Sequence, residues 1–153
     1  MKLVTRNFGE IEIEDSKIVN FPKGIVGFPN LQNFTLINDS EKENSPIKWF
    51  QSIEEPQFAM PVIDPLLVKA DFNPEVDNDK VSLIGEWESE DILVLVTITV
   101  PHDIEKMTVN LKGPFIINTK TMKAVQTIIE DDDYDIKFPI YGILKKMKEE
   151  AGK

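Results

Sequence analysis

The sequence contains no cysteine and only one histidine, and these two scarcities exclude several kinds of chemistry. Without cysteine there is no thiol nucleophile, no cysteine-ligated zinc or iron–sulfur cluster, and no disulfide framework. His102 stands beside Asp103, but neighbouring residues on a strand point to opposite faces, so the two are poorly placed to form a catalytic pair. A zinc site would need three carboxylates besides that histidine, which is an unusual ligand set for zinc. We therefore expect no metal site and no enzyme active site.

Long apolar runs and positive charge are also scarce. The longest uninterrupted apolar run covers residues 92–96, whereas a membrane-spanning helix needs about 20 such residues. The N-terminus has no apolar stretch of the length found in signal peptides. Seventeen basic residues stand against 27 acidic ones, a formal net charge of −10, which argues against direct binding of nucleic acid. The composition predicts an acidic cytoplasmic protein without a membrane segment.

The sequence does contain many short segments in which apolar and polar residues alternate. Met107, Val109 and Leu111 alternate with polar residues, as in a strand with one buried face. Residues 92–100 begin with apolar side chains on both faces, which predicts a central strand that is covered on both sides. Eight further strands are predicted at 10–14, 17–21, 34–37, 47–53, 58–63, 80–84, 115–119 and 122–129.

One helix is predicted at the C-terminal end, over residues 139–150. Its apolar residues fall at i, i+3, i+4 and i+7, and proline suits its first turn. They are Ile140, Ile143, Leu144 and Met147, preceded by Pro139. The pattern as a whole predicts a mainly β fold, a small antiparallel barrel or sandwich with one C-terminal helix, forming a single domain over residues 1–153.

Acidic residues are concentrated in two parts of the chain. Residues 71–91 contain eight acids and one lysine, and residues 130–135 contain five acids. Neither stretch has the ligand spacing of a calcium-binding EF-hand loop. The first stretch ends with Glu86, Glu88, Glu90 and Asp91. Two interpretations stay open: a face that keeps the protein in solution, or a surface that attracts a basic partner.

Three aromatic residues are candidates for partner contacts. Phe28 lies in a turn between Gly27 and Pro29, where burial is not assured. Trp49 and Phe50 are neighbours on one predicted strand, so one side chain can lie in the core while the other faces outward. An outward aromatic side chain is a typical interface anchor. The alternative is that both belong to the core of a closed barrel.

The order of several short motifs resembles the FliW family of bacterial flagellar assembly factors, over nearly the whole chain. The motifs are Phe21-Pro22-Lys23-Gly24-Ile25-Val26-Gly27-Phe28, Trp49-Phe50-Gln51-Ser52, Asp64-Pro65, Thr99-Val100-Pro101, Thr108-Val109-Asn110-Leu111, Gly113-Pro114-Phe115-Ile116-Ile117-Asn118, Gln126, Tyr134 and Pro139. In the first motif, Val26 stands where the family often has proline.

The resemblance implies a non-enzymatic function without a cofactor. Members of the family bind flagellin in the cytoplasm before export. They also bind CsrA, an RNA-binding translational regulator, and prevent it from repressing the translation of flagellin. We therefore expect this chain to exchange between flagellin and CsrA and to be a monomer when it is free.

The resemblance also suggests which residues bind these partners. Apolar or polar anchors are expected at Ile25, Phe28, Trp49, Phe50 and Gln51. A shared edge or loop is expected at Asn110, Pro114 and Asn118, and the basic partner is expected to be steered by Glu86, Glu88, Glu90 and Asp91.

Two other functions remain possible from the sequence. A carbohydrate- or peptide-binding β-sandwich would need a platform of two or three exposed aromatic rings. A small hydrolase would need two carboxylates across a cleft.

Overall fold

The computed structural model describes residues 1–38, 45–74 and 78–151. Its strands are β1 (Lys2–Thr5), β2 (Gly9–Glu12), β3 (Ile18–Asn20), β4 (Asn33–Asn38), β5 (Lys48–Ser52), β6 (Ala59–Ile63), β7 (Ile92–Thr99), β8 (Thr108–Val109), β9 (Phe115–Asn118), β10 (Lys123–Gln126) and β11 (Phe138–Pro139). Its α-helices are α1 (Asn78–Val81) and α2 (Tyr141–Ala151). None of the helices among these residues is long and apolar enough to cross a membrane.

Seven strands form a closed barrel in the order β7-β6-β5-β4-β3-β10-β9, and the barrel closes because β9 also pairs with β7. All of these neighbours are antiparallel except β3 and β10, which are parallel at the pair Asn20 and Lys123. The first half of β7 pairs with β9, and its last two residues pair with β8. Closure removes the free edges that an open sheet would present. The mainly β class with one C-terminal helix is confirmed, and the extent of the domain, 1–153, stays a prediction.

Phenylalanine fills the barrel interior. Phe34, Phe50 and Phe115 point inward from β4, β5 and β9, and Phe21 joins them just after β3. All four rings are fully or almost fully buried. Their centroids lie 5.5–6.1 Å apart in edge-to-face arrangements, the geometry that the charge distribution of aromatic rings favours.

A second apolar layer covers the outside of β7. Val96 and Ile98 of β7 belong to the same buried cluster as Ile140, and Ile143 and Leu144 of α2 pack against that cluster. The apolar stripe predicted for the C-terminal helix is therefore confirmed. The predicted start is wrong by two residues, because Phe138 and Pro139 pair with β8 and the helix begins at Tyr141.

The strand predicted at 80–84 is wrong, because this segment is helical. Helix α1 continues directly into a 3-10 turn at Ser82–Ile84. Val81 and Ile84 are buried three residues apart, whereas Leu83 between them is exposed. A spacing of three matches a helical turn, and a strand would have buried alternate residues instead. The two buried side chains pack on Ile116 and Val125, on the outside of the barrel.

Candidate partner-binding surface

The turn over residues 24–30 is shaped by glycine. Gly24 has a φ of +69°, and a Cβ there would lie 2.5 Å from the carbonyl oxygen of Pro29. Ile25 and Phe28 exchange backbone hydrogen bonds across the turn, at N···O distances of 2.9 and 3.3 Å. Phe28 is 48% exposed and packs on the ring of Phe58, with centroids 5.3 Å apart. The turn therefore presents an aromatic side chain on a tightly built backbone, and we call it the Phe28 turn.

A glutamine side chain connects the Phe28 turn to the loop between β8 and β9. The backbone N–H of Val26 donates a 2.7 Å hydrogen bond to Oε1 of Gln126, and Nε2 of Gln126 donates to the carbonyl of Gly113 at 3.0 Å. Proline lacks the N–H that makes the first of these bonds. Valine at position 26 therefore allows a hydrogen bond that a proline there could not make, and its own side chain is exposed.

Three of the expected anchors lie inside the protein. Ile25 and Phe50 belong to the barrel core, which Phe50 enters from β5 and Ile25 enters from the Phe28 turn. Gln51 is completely buried, and its Nε2 donates to the carbonyls of Pro56 and Phe58 at 3.0 and 3.2 Å. In the structure these three residues therefore support the barrel and the β5–β6 connection, and they offer no exposed side chain to a partner.

The other aromatic residue of that strand, Trp49, is half-buried. Its ring packs edge-on against Phe8, with centroids 5.9 Å apart. Of the two interpretations left open, the structure therefore agrees with a division of the pair, with Phe50 in the core and Trp49 half-buried on the outer face.

Asn118 is also buried, and it holds the segment that contains the expected steering residues. Its Nδ2 donates to the carbonyls of Ile84 and Glu86, at 2.9 and 3.1 Å. The next residue, Thr119, donates from both its backbone N and its Oγ1 to the carbonyl of Asp91, at 2.8 and 2.7 Å. The segment over residues 86–91, which we call the acidic segment, is thus tied at both ends to the end of β9 and the turn that follows it. The role of Asn118 is to position this segment from within.

The remaining loop residues, Asn110 and Pro114, lie at the opposite end of β9 from Asn118. Oδ1 of Asn110 accepts a 2.9 Å hydrogen bond from the backbone N of Lys112, which shapes the break between β8 and β9. Pro114 is buried beside this break. The structure therefore does not bring Asn118 together with Asn110 and Pro114 into one edge or loop.

Pro114 forms part of the wall of an apolar groove of about 320 Å³, which we call the Trp87 groove. Its apolar walls include Pro65, Leu66, Phe72, Val81, Trp87 and Pro114. Leu66 and Trp87 are 53% and 47% exposed, and sequence analysis missed both. Exposed apolar residues beside a concave site are typical of binding surfaces. Trp87 is the middle residue of Glu86-Trp87-Glu88, so the groove adjoins the acidic segment.

The charge around the Trp87 groove is negative. Asp64 lines the groove, and Glu86, Glu88 and Glu90 are exposed on the acidic segment. The salt bridges between described residues involve Glu12, Asp71 and Asp132, so none of these four carboxylates is neutralised in that way. Lys120 shares a shallow concavity with residues 85–88 but forms no salt bridge within the described part of the chain. Glu75 and Asp77 of the predicted acidic stretch lie outside the described residues.

The described residues do not offer the aromatic platform that a carbohydrate-binding module would require. The exposed aromatic residues among them are Phe28 and Trp87, and Phe28 packs on Phe58 while no ring contact joins it to Trp87. No group of three His, Asp or Glu side chains in the described ranges is close enough to hold a metal ion.

Comparison with known proteins shows which family the chain belongs to. A model of the FliW protein family matches residues 2–140. The chain belongs to the FliW family. A relative from Lachnospira eligens named flagellar assembly factor FliW is 44% identical over 148 residues, covering 95% of this chain and 98% of that protein. A second relative of the same name, from Caldanaerobacter subterraneus, is 41% identical over 145 residues and covers 95% and 96% of the two chains.

A solved structure shares the fold. The crystal structure of a flagellar assembly factor FliW superposes with a TM-score of 0.84 at 26% identity, covering 92% of this chain and 97% of that chain. The family and the barrel are therefore established together, and the resemblance that the motifs indicated is confirmed.

Proposed function

We propose that this chain is a non-enzymatic flagellar assembly factor of the cytoplasm that binds flagellin and CsrA by turns. Membership of the FliW family supports the first part of the proposal, since the relatives share the name of flagellar assembly factor. The acidic segment supports it most strongly, because it combines three exposed glutamates with an exposed tryptophan and is held at both ends by hydrogen bonds from Asn118 and Thr119.

The charge of the chain suits a partner that binds RNA. A protein that binds RNA presents a basic surface to the phosphates. A partner with a net charge of −10 attracts such a surface over about a Debye length, roughly 8–10 Å at physiological salt, and the attraction weakens as salt is added. Of the two exposed aromatic residues among the described residues, Trp87 has a glutamate on each side and Phe28 has none, so we expect the attraction to be stronger at the acidic segment than at the Phe28 turn.

Flagellin requires a different kind of contact. Its terminal segments are amphipathic and are unpacked before assembly, so a partner must offer exposed apolar side chains. The Phe28 turn offers Val26 and Phe28, which are 58% and 48% exposed. Flagellin would occupy the protein until export, and the free protein would then bind CsrA and release flagellin translation from repression.

Size-exclusion chromatography tests the proposal as a whole. The purified chain, itself expected to run as a monomer, is mixed with flagellin monomer, with CsrA, and with both together. Two separate complexes, with one partner displacing the other, are the expected result. Failure to form a complex with either partner would contradict the proposal.

The acidic segment is tested by the triple variant Glu86→Gln, Glu88→Gln and Glu90→Gln. We expect a slower association with CsrA, by about tenfold at low salt, and a flatter dependence of the rate on salt, because steering acts mainly on the on-rate. Stopped-flow fluorescence measures both quantities.

The control for this variant changes the same net charge elsewhere. Glu10, Glu105 and Glu149 are exposed, form no salt bridge among the described residues and line neither the Trp87 groove nor the concavity of residues 85–88. Glu10→Gln, Glu105→Gln and Glu149→Gln therefore remove three charges without changing the acidic segment. Equal slowing in both triple variants would mean that overall charge, and not the acidic segment, attracts the partner.

A further inference from the structure

We propose that the Trp87 groove receives an amphipathic helix of the basic partner, whose apolar side chains enter the groove while its lysine and arginine side chains meet the carboxylates at the rim. This inference rests on the proposed function and deepens it, because it assigns one surface to one class of partner segment. The Phe28 turn is then left for the second, less charged partner.

The apolar part of the groove is arranged for side chains that come from outside. Leu66 and Trp87 are about half exposed, and between them the floor is formed by buried residues such as Phe72 and Ile116. Tryptophan is among the residues that contribute most to binding when a partner covers it, because a large apolar area leaves water at low cost in conformational entropy. A helix presents such side chains at i, i+3, i+4 and i+7, the usual way of filling an apolar groove.

The backbone that presents the two exposed side chains is held in position before any partner arrives. The carboxylate of Asp64 accepts a 2.9 Å hydrogen bond from the backbone N of Leu66 and caps the short turn that presents it. Trp87 follows Glu86, whose carbonyl accepts a hydrogen bond from Nδ2 of Asn118. A surface that is already ordered loses less conformational entropy on binding, so more of the interaction energy appears as affinity.

The charge of the rim selects a basic segment. Asp64 lines the groove, and no lysine or arginine of the described residues does. Glu86 and Glu88 flank Trp87 in the chain and line the neighbouring concavity, which they share with one lysine, Lys120. A polar small molecule would need buried polar groups to orient it. The polar side chains that line this groove, Asp64 and Asn73, are not buried. The groove is therefore suited to a partner segment that presents both apolar and basic side chains, as an amphipathic helix does.

The first test uses synthetic peptides of about 18 residues and measures fluorescence anisotropy. One peptide has leucine at helical spacing and lysine elsewhere, a second has glutamate in place of lysine, and a third has the first composition in scrambled order. We expect the ordered lysine peptide to bind at least tenfold more tightly than either of the others, since it alone matches both the groove and the rim. Equal binding of the scrambled lysine peptide would overturn the inference, because charge alone would then explain the binding.

Variants locate the site on the protein. Trp87→Ala and Leu66→Ala are expected to weaken the ordered lysine peptide by about 30-fold and about fivefold, as for central and flanking contacts of an interface. Val4→Ala provides the matched control, because Val4 is an exposed apolar residue on the N-terminal hairpin and does not line the groove. An unchanged affinity in Trp87→Ala, with an unchanged circular dichroism spectrum, would overturn the inference.

A final comparison with full-length CsrA separates this inference from the proposed function. If the wild-type chain binds CsrA and Trp87→Ala does not, both are supported. If both chains bind CsrA equally, the groove assignment fails and the proposed function stands. If neither chain binds CsrA while the ordered lysine peptide still requires Trp87, the proposed function fails and the groove remains a site for basic helices.

Discussion

The Phe28 turn and the acidic segment both project an aromatic side chain from the barrel, and they are held in place by different means. In the Phe28 turn the backbone itself makes the shape, through the positive φ of Gly24 and the paired hydrogen bonds of Ile25 and Phe28, and the side chain of Gln126 adds one bond from outside. In the acidic segment the shape depends on the side chains of Asn118 and Thr119, which reach out from the end of β9 and the turn that follows it.

The difference bears on how each surface responds to substitution. A turn built by backbone geometry fails when one glycine is replaced, since no neighbouring side chain can compensate for a blocked φ. A segment held by side-chain hydrogen bonds can come loose while the barrel stays folded, because local openings cost less than global unfolding. The following predictions test this contrast, beginning with the largest effect.

Replacing Gly24 by alanine is expected to cost about 3 kcal/mol of unfolding free energy. The new Cβ would lie 2.5–2.7 Å from the backbone of Pro29, and the residue would also need a left-handed conformation, which is unfavourable for alanine. Urea denaturation followed by circular dichroism measures the change.

Gly27 provides the control for this prediction, because its φ is +86° but nothing lies within 4 Å of a Cβ there. Gly27→Ala should therefore cost only about 1 kcal/mol, the conformational part alone. Equal costs at the two glycines would show that the close approach to Pro29 contributes nothing.

Replacing Asn118 by alanine is expected to cost about 2 kcal/mol and to release the acidic segment. The change leaves the carbonyl of Glu86 without its donor, whereas the carbonyl of Ile84 keeps a second donor, Oγ1 of Thr121 at 2.8 Å. In a Trp49→Phe background, where Trp87 is the sole tryptophan, acrylamide should quench the fluorescence more strongly.

Thr121→Val is the matched control for this variant. It removes a hydrogen bond to the carbonyl of Ile84 and leaves the bond between Asn118 and Glu86 in place. We expect a cost of about 0.5–1 kcal/mol and unchanged quenching of Trp87. Unchanged quenching in Asn118→Ala as well would contradict the idea that Asn118 holds this segment.

Much of the barrel was predictable because local patterns agree with the final packing. In β7, apolar residues on both faces indicated a covered strand, and Leu95 and Val96 indeed pack on opposite sides of the barrel wall. The strands β1 and β11 were missed, because the one buried residue of β1 is a threonine, and β11 has two residues of which one is proline.

The binding surface was harder to predict, because the direction of a side chain is decided by closure of the barrel. Alternation separates Trp49 from Phe50 but does not tell which of them faces inward; the ring contacts with Phe34 and Phe115 decide that. Trp87 did leave a signal that was missed. On a strand its neighbours on the same face would be Gly85 and Ser89, neither of which is a large apolar residue, so alternation does not predict a buried position for it.

The smallest expected effect comes from the one described lysine beside the acidic segment. Lys120 is exposed and shares a concavity with Glu86 and Glu88, so its positive charge opposes the approach of a basic partner. Lys120→Gln removes that charge and keeps the backbone hydrogen bond from residue 120 to Asn118. We expect association with CsrA to become about twofold faster at low salt, with the gain lost at high salt as screening shortens the range of the interaction.

The control for this variant is Lys2→Gln, which makes the same change of net charge on the N-terminal hairpin. Stopped-flow measurements at two salt concentrations compare the two variants. Acceleration by Lys120→Gln alone would sharpen the contrast between the two surfaces, because it would locate the electrostatic attraction at residues 86–88. Equal acceleration by both variants would remove the contrast, since the net charge of the chain would then account for the rate and the acidic segment would have no special role.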